Sequence, residues 1–462
     1  LTTSSHNTLR NNNISDNRYN FGVEGFELEE FIQDIDTSNT VNGKPIYYWI
    51  NQHDRRVPSD AGYVAVINST DIIIKDLNLT NNKQGILVIS ANDTIISRNT
   101  ITSTEYGIII GSCYIDYWMH VFYGIPPLLS MNNTISDNTL TNNGIGICLS
   151  NIVEMPASAG VRIGFSLASS NNTISQNMLS NNLAGICVRG SSYNIIIGNM
   201  ITNHTYPPCP PGESWWLWYS HPHVLDVSPL DCYYPPLCGI ALESSNNTLC
   251  GNTLMKNEVG MYVSVYTGKG GGNVIYHNNF INNTENLSVA SINIWDDGYP
   301  SGGNYWSDYT GIDANGDGIG DTSYTIDANN TDNYPLMGPF NSFDAGTWNN
   351  IAYSVNVASN STVSDFYFNP DEGTFIRFDV TGPDGTTGFC RVAIPKQLLS
   401  VGRPEEWIVI VGDDVVVPEV SEDENYTYLY FTYPHSIKTV TITGTRVIPE
   451  FPSWTQILLI LI

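Results

Sequence analysis

The clearest chemical spacing in this chain is Asp313-Ala314-Asn315-Gly316-Asp317-Gly318-Ile319-Gly320-Asp321. Side-chain oxygens fall at positions 1, 3, 5 and 9, a glycine at 6 turns the chain, and the Ile319 carbonyl sits at 7. That is the ligand spacing of a calcium loop. Tyr324 stands where a bidentate glutamate would close such a loop, so Asp308, Asp327 or Asp332 would have to complete the shell. The expected cofactor is Ca2+, held by Asp313, Asn315, Asp317, Ile319 and Asp321. Its role would be structural, because carboxylates crowded in one loop repel each other without a cation.

A second constellation is aromatic. Trp215, Trp216, Trp218 and Tyr219 lie in one Pro-rich stretch, where flat rings could stack on sugars. His221 and His223 flank Pro222, and with His204 and Cys209 nearby in sequence they form a weaker candidate for a copper or zinc site. The alternative is that these residues pack the loop or line its surface. Cys209, Cys232 and Cys238 cluster in the same region and are disulfide candidates, against the alternative of three buried thiols. Cys148 and Cys187 share one repeat register, as neighbours that could bridge or as two small buried hydrophobes. No catalytic constellation emerges. The acids Asp76, Asp93, Asp137 and Glu258 fall in different registers, and Arg98, Arg162 and Arg189 read as scattered surface residues. Glycoside cleavage needs paired carboxylates at set separations.

The elements that carry these residues come from a repeat. Asn-Asn-Thr-Ile-x-x-Asn-x-Leu-x-x-Asn-Asn, followed by Gly-Ile, recurs at Asn132–Ile147, Asn171–Ile186 and Asn246–Met261. Looser copies begin near Asn7, Asp71, Asn92, Asn194 and Asn273. Uninterrupted copies are 22 to 23 residues apart, as from Gly85 to Gly107 and from Ile73 to Ile96. Such a period argues for a solenoid whose units pack only on their neighbours. Each copy reads as short strands with Ile174, Leu179 and Ile186 inward, turned by asparagines that tolerate left-handed backbone. Asn99, Asn138, Asn177 and Asn252 are expected to stack as a ladder. Gly107, Gly146, Gly185 and Gly260 are expected where a side chain would strike the next coil. The asparagine load and apolar spacing exclude a helical reading.

These features predict an all-β chain: a right-handed, three-sided parallel β-helix followed by an Ig-like β-sandwich. The boundaries are 1–283 for the helix, 284–340 for an end cap with the calcium-type loop, 341–446 for the sandwich and 447–462 for a tail. Segments 24–66, 112–131 and 205–237 are expected as loops leaving the coil. The formal net charge of −27 excludes a nucleic-acid partner on electrostatic grounds. Thirteen Asn-x-Ser/Thr sequons occur, and Asn68, Asn92, Asn132, Asn203, Asn286, Asn360 and Asn425 are the glycosylation candidates among them. They point to an exported protein.

The Asn-Asn-Thr-Ile coils, Val41–Trp49 with Val57–Gly62, and Gly302–Asp308 running into Asp313–Asp321 and Asn333–Leu336 resemble archaeal surface members of the NosD-like right-handed parallel β-helix superfamily. The resemblance spans roughly residues 1–340, and Trp348–Gly444 resembles the sandwich fused behind such helices. Val447–Trp454 looks like the Pro-Glu-Phe sorting signal of archaeal surface proteins, which implies membrane anchoring through a segment that follows it. The family name implies copper delivery, and the superfamily also contains polysaccharide lyases, hydrolases and epimerases. None of their functional residues carries over onto particular positions here. The expectation is a non-enzymatic, calcium-stabilised protein of the archaeal envelope that contacts a surface polysaccharide or another surface protein. The alternatives are a polysaccharide lyase or hydrolase, and a copper-handling accessory protein.

Overall fold

The computed structural model describes residues 1–111, 128–150, 169–205, 237–264 and 271–448. They fall into two compact units: Leu1–Ile275 with Phe280–Ile294, and Tyr276–Asn279 with Trp295 onward.

The first unit is a parallel β-helix in which each coil contributes one strand to each of three walls. The first wall runs through Tyr63–Ile67, Gln84–Ile89, Tyr106–Gly111, Ile145–Ser150, Ala184–Arg189, Cys238–Glu243 and Val259–Val263. The second contains Thr70–Lys75, Ile95–Ser97, Thr134–Ser136, Thr173–Ser175, Ile195–Ile197 and Thr248–Cys250. The third contains Asn78–Thr80, Thr100–Thr102, Thr139–Thr141, Met178–Ser180, Met200–Thr202 and Thr253–Met255. The middle residue of each short strand points inward. The columns Ile96–Ile135–Ile174–Ile196–Leu249 and Ile101–Leu140–Leu179–Ile201–Leu254 are therefore fully buried.

The corners are held by amide ladders. Asn99, Asn138, Asn177, Asn199 and Asn252 stack in order. In each rung, the next coil's side-chain oxygen accepts both the backbone N–H and the side-chain N–H of the asparagine below. This satisfies backbone donors where the chain turns and no strand partner exists. Two further ladders accompany the expected one. Asn133, Asn172, Asn194, Asn247 and Asn273 form the second. Asn143, Asn182, His204, Asn257 and Asn283 form the third. The glycine register also has its steric cause: a Cβ on Gly107 would lie 2.4 Å from the Gly146 carbonyl oxygen, and one on Gly146 2.7 Å from that of Gly185.

Segment 24–66 differs from the expectation of a loop. It supplies Lys44–Ile50, which pairs in parallel with Tyr63–Ile67, and His53–Arg56, which pairs with Thr70–Lys75. An antiparallel hairpin, Thr40–Val41 against Lys44 and Pro45, interrupts the coil and hides the repeat from a period count.

The second unit contains two five-stranded antiparallel sheets. One is ordered Phe340–Trp348, Ile351–Ser359, Thr387–Pro395, Tyr426–Pro434, Glu419–Glu422. The other is ordered Thr362–Phe368, Phe375–Thr381, Lys438–Thr443, Ile408–Val411, Asp414–Val416. Val355, Val392 and Leu429 from the first meet Phe378, Val409 and Val440 from the second in one core, which makes a sandwich.

Candidate functional site

The first wall differs from the other two in composition. Its strands read Gly-Ile-Leu-Val-Ile, Gly-Ile-Ile-Ile-Gly, Gly-Ile-Cys-Leu-Ser and Gly-Ile-Cys-Val-Arg, whereas the shorter strands of the other walls include Thr-Ile-Ser and Thr-Leu-Thr and bury mainly their middle residue. Continuous apolar runs mark strands buried on both faces. The outer row Leu87–Ile109–Cys148–Cys187–Ala241 is buried throughout. At the N-terminal end Phe21, Val23, Phe31 and Ile35 join the same cluster, with the Phe21 ring edge-on to Tyr63 at 4.9 Å. Segments 112–127, 151–168 and 265–270 follow the ends of first-wall strands, and 206–236 precedes the start of one.

Within this apolar face lies one charged pair. Arg189 and Glu243 occupy the same outer row on adjacent coils. Arg189 Nε donates to Glu243 Oε2 at 2.5 Å, and the two side chains are only 7% and 5% exposed. Arg189 had read as a solvated surface residue. Its burial is a property of the folded wall that local sequence does not record. Next to the pair, Cys148 and Cys187 face each other in register as thiols. A hydrogen bond to Cys148, together with burial, pushes the Cys187 thiol well above its ordinary range, so it stays protonated. Cys238, one of the disulfide candidates, is a fully buried thiol at the head of its strand, and burial raises its pKa as well.

In the second unit, the acidic nonapeptide is ordered by its own backbone. The Asp313 carboxylate accepts N–H bonds from Gly316, Asp317 and Gly318, Asp317 accepts from Ile319, and Asp321 accepts from Ala314. Hard oxygens in this order fit a hard cation. Among the described residues, however, no three His, Cys, Asp or Glu side chains converge as a metal cluster. A counter-charge is already present. Buried Arg391, stacked 4.3 Å over the Tyr428 ring, lies in the field of Asp317 and Asp313. The carboxylates therefore do not face one another alone, as the sequence had implied. Close by, Asp332 is fully buried and accepts N–H bonds from Asn304, Trp306 and Tyr334. Burial pushes its pKa up to about 7 against the pull of those bonds. Asp332 is thus the hub of the cap, not a ligand reaching for the loop.

The family described as "periplasmic copper-binding protein (NosD)" matches residues 1–215 and 157–311. The chain belongs to the NosD family. No curated protein matches it significantly. Similar solved structures include the alginate lyase of Paenibacillus sp. str. FPU-7, at 14% identity over 58% of this chain and 90% of that one, with a TM-score of 0.31. The surface adhesin PfbA of Streptococcus pneumoniae is 13% identical over 74% of this chain and 89% of that one, with a TM-score of 0.32. The tailspike protein of E. coli bacteriophage HK620, in complex with a pentasaccharide, is 8% identical over 96% and 68%, with a TM-score of 0.25. Likenesses this weak carry nothing about what the NosD-family chain does.

The described residues of this NosD member do not fit a copper centre. His204 is enclosed in the third ladder, Nδ1 against Asn257 and Nε2 against Asn182, and burial lowers its pKa to about 4. His277 stacks on Phe340 at 4.3 Å and meets the Ser301 carbonyl. Cys187 is a protonated thiol beside Cys148, and no third His, Cys, Asp or Glu among the described residues joins them as a metal cluster. Trp215, Trp216, Trp218, Tyr219, His221, His223, Cys209 and Cys232 lie outside the described residues. No described helix is long and apolar enough to cross a membrane.

Proposed function

We propose that this NosD-family protein is an exported, non-enzymatic binding protein that engages a surface polysaccharide over the outer face of its first wall. The observation that supports this reading is topological. In chain order, segments 112–127, 151–168, 265–270 and 206–236, the last carrying Trp215, Trp216, Trp218 and Tyr219, adjoin first-wall strands. A solenoid tolerates added length between coils, and sequence inserted next to one wall is a natural source of binding residues. In this reading the Pro-Glu-Phe stretch addresses the protein to an archaeal envelope. Calcium, bound through Asp313, Asn315, Asp317, Ile319 and Asp321, stiffens the cap loop. Asp313 in its three N–H bonds supports that assignment by holding the loop in shape.

The test is a glycan array on the whole protein with a parallel turnover assay on the glycans that bind. Binding without turnover, lost when Trp215, Trp216 and Trp218 become alanine, is the expected result. Binding that is indifferent to those substitutions defeats the reading. Chelation by EDTA should lower the melting temperature, and added calcium should restore it; no shift removes calcium from the account. A second reading, a polysaccharide-cleaving enzyme, is favoured by Arg189 and Glu243 lying together on the same wall. Product formation by the parent, abolished by Glu243→Gln under conditions where circular dichroism shows the variant folded like the parent, would establish it in place of the first.

A further inference from the structure

One corner column of the β-helix combines three sequons with an exposed aromatic residue. Coil by coil, the corner leading into the second wall presents Asp93, Asn132, Asn171, Tyr193 and Asn246. All five are in the left-handed region, at φ of 54°, 57°, 56°, 59° and 58°. Asparagine and aspartate adopt that conformation readily, whereas a bulky ring rarely does. Tyr193 gains no core contact in exchange, because it is 63% exposed. The coil imposes the same left-handed backbone on Arg98, Gln176 and Lys256 at other corners, so what sets Tyr193 apart is an exposed ring beside the sequons.

The structure also separates the sequons. Asn132, Asn171 and Asn246 are exposed, and no hydrogen bond to a described residue uses their side-chain amides. Their immediate neighbours Asn133, Asn172 and Asn247 are the buried ladder rungs, with amides fully engaged. The sequon threonines Thr134, Thr173 and Thr248 align in one row on the second wall beside them, with Ile195 between the last two. Other sequons fare differently. Asn92 accepts the Met131 N–H at 2.8 Å, and Asn286 accepts from Asn283. Asn360 both accepts from Phe389 N–H and donates to the Thr387 carbonyl. Those amides hold the fold together and are not free to carry a sugar.

We propose that this corner column is an N-glycosylation face, with glycans on Asn132, Asn171 and Asn246. Tyr193, one coil from both Asn171 and Asn246 at a spacing of about 4.8 Å, is the ring against which the first sugar of either rests. In the modification, the asparagine amide nitrogen displaces the diphosphate of a lipid-linked oligosaccharide. An N–C1 bond forms, the C1–O bond breaks, the lipid diphosphate leaves, and the amide gives up one proton. The proposal requires export, but not the polysaccharide-binding reading, which the glycan array tests separately.

The experiment is to secrete the full chain from a host with lipid-linked N-glycosylation. The sites of the folded protein are then mapped by mass spectrometry after enzymatic glycan release in heavy-oxygen water. Labelled aspartate at positions 132, 171 and 246, with Asn92, Asn286 and Asn360 unmodified, is the expected pattern. An unmodified column, or occupancy at Asn92, Asn286 or Asn360, overturns the proposal. For the aromatic platform, glycan release should lower the melting temperature of the parent more than that of Tyr193→Ala. Equal shifts in the two proteins remove Tyr193 from the site.

Discussion

Replacing Glu243 alone should strongly destabilise the β-helix, while replacing both members of its pair should not. Glu243→Gln keeps the shape but leaves the Arg189 guanidinium charged in a site where the side chains are 7% and 5% exposed. Removing one partner of a buried ion pair typically costs about 3–5 kcal/mol, because the other charge is left desolvated and uncompensated. Arg189→Met with Glu243→Leu removes both desolvation penalties and adds apolar surface to a face already lined by Cys187 and Ala241, so the double variant should lie within about 1–2 kcal/mol of the parent. Arg189→Met alone should fall between, since a buried carboxylate can relieve itself by taking up a proton. The assay is urea unfolding followed by circular dichroism, comparing midpoints because a solenoid need not unfold in a single step. The coupling between the two sites should survive 0.5 M salt, as a water-excluded pair is poorly screened. A Glu243→Gln loss below about 1 kcal/mol, or a double variant as damaged as the sum of the singles, would refute the reasoning.

Three further outcomes follow from the same geometry. Asn177→Ala removes the oxygen that accepts Asn138 N–H and Nδ2, and the donor to Ile135 and Asn199. Two buried donors are orphaned, so a loss of about 3–5 kcal/mol is expected in urea unfolding. His204 has a folded pKa of about 4 against an ordinary 6.5. Its stabilising effect is complete above pH 6.5 and is lost as pH falls toward 4, by about 3 kcal/mol. His204→Asn, which restores the ladder residue, should flatten that part of a stability–pH curve. Asp332 has the opposite sign. With its folded pKa raised to about 7 from 3.8, its contribution is complete below pH 3.8 and is lost as pH rises through 7, by about 4 kcal/mol. Melting of the second unit should therefore weaken between about pH 4 and 7 in the parent and not in Asp332→Asn, as read by near-ultraviolet circular dichroism of the buried Trp295 and Trp306.

Much of the architecture was written locally. A repeat of 22 to 23 residues, glycines in one register and asparagines at the turns fix a coil, because each coil needs the same solution for its corners and its close approaches. The unbroken apolar strands of the first wall, set against Thr-Ile-Ser in the others, also carried the signal of a doubly buried wall, although only the period was read from them. The acidic nonapeptide was legible as an ordered turn for the same reason: the carboxylates and the N–H groups they accept from are neighbours in sequence. Only the tertiary structure decided which residues meet across insertions. Arg189 and Glu243 are 54 residues apart in sequence yet adjacent in space, since Ala184–Arg189 and Cys238–Glu243 pair in register as neighbouring strands of the first wall. His204 takes an asparagine's place in a ladder because its two ring nitrogens span the same gap between coils, a substitution that no spacing rule reveals. Arg391 comes under the Asp313–Asp321 loop from a strand of the sandwich. Local sequence sets the shape of each turn; burial, charge pairing and the amides left open for modification depend on what the rest of the chain lays against it.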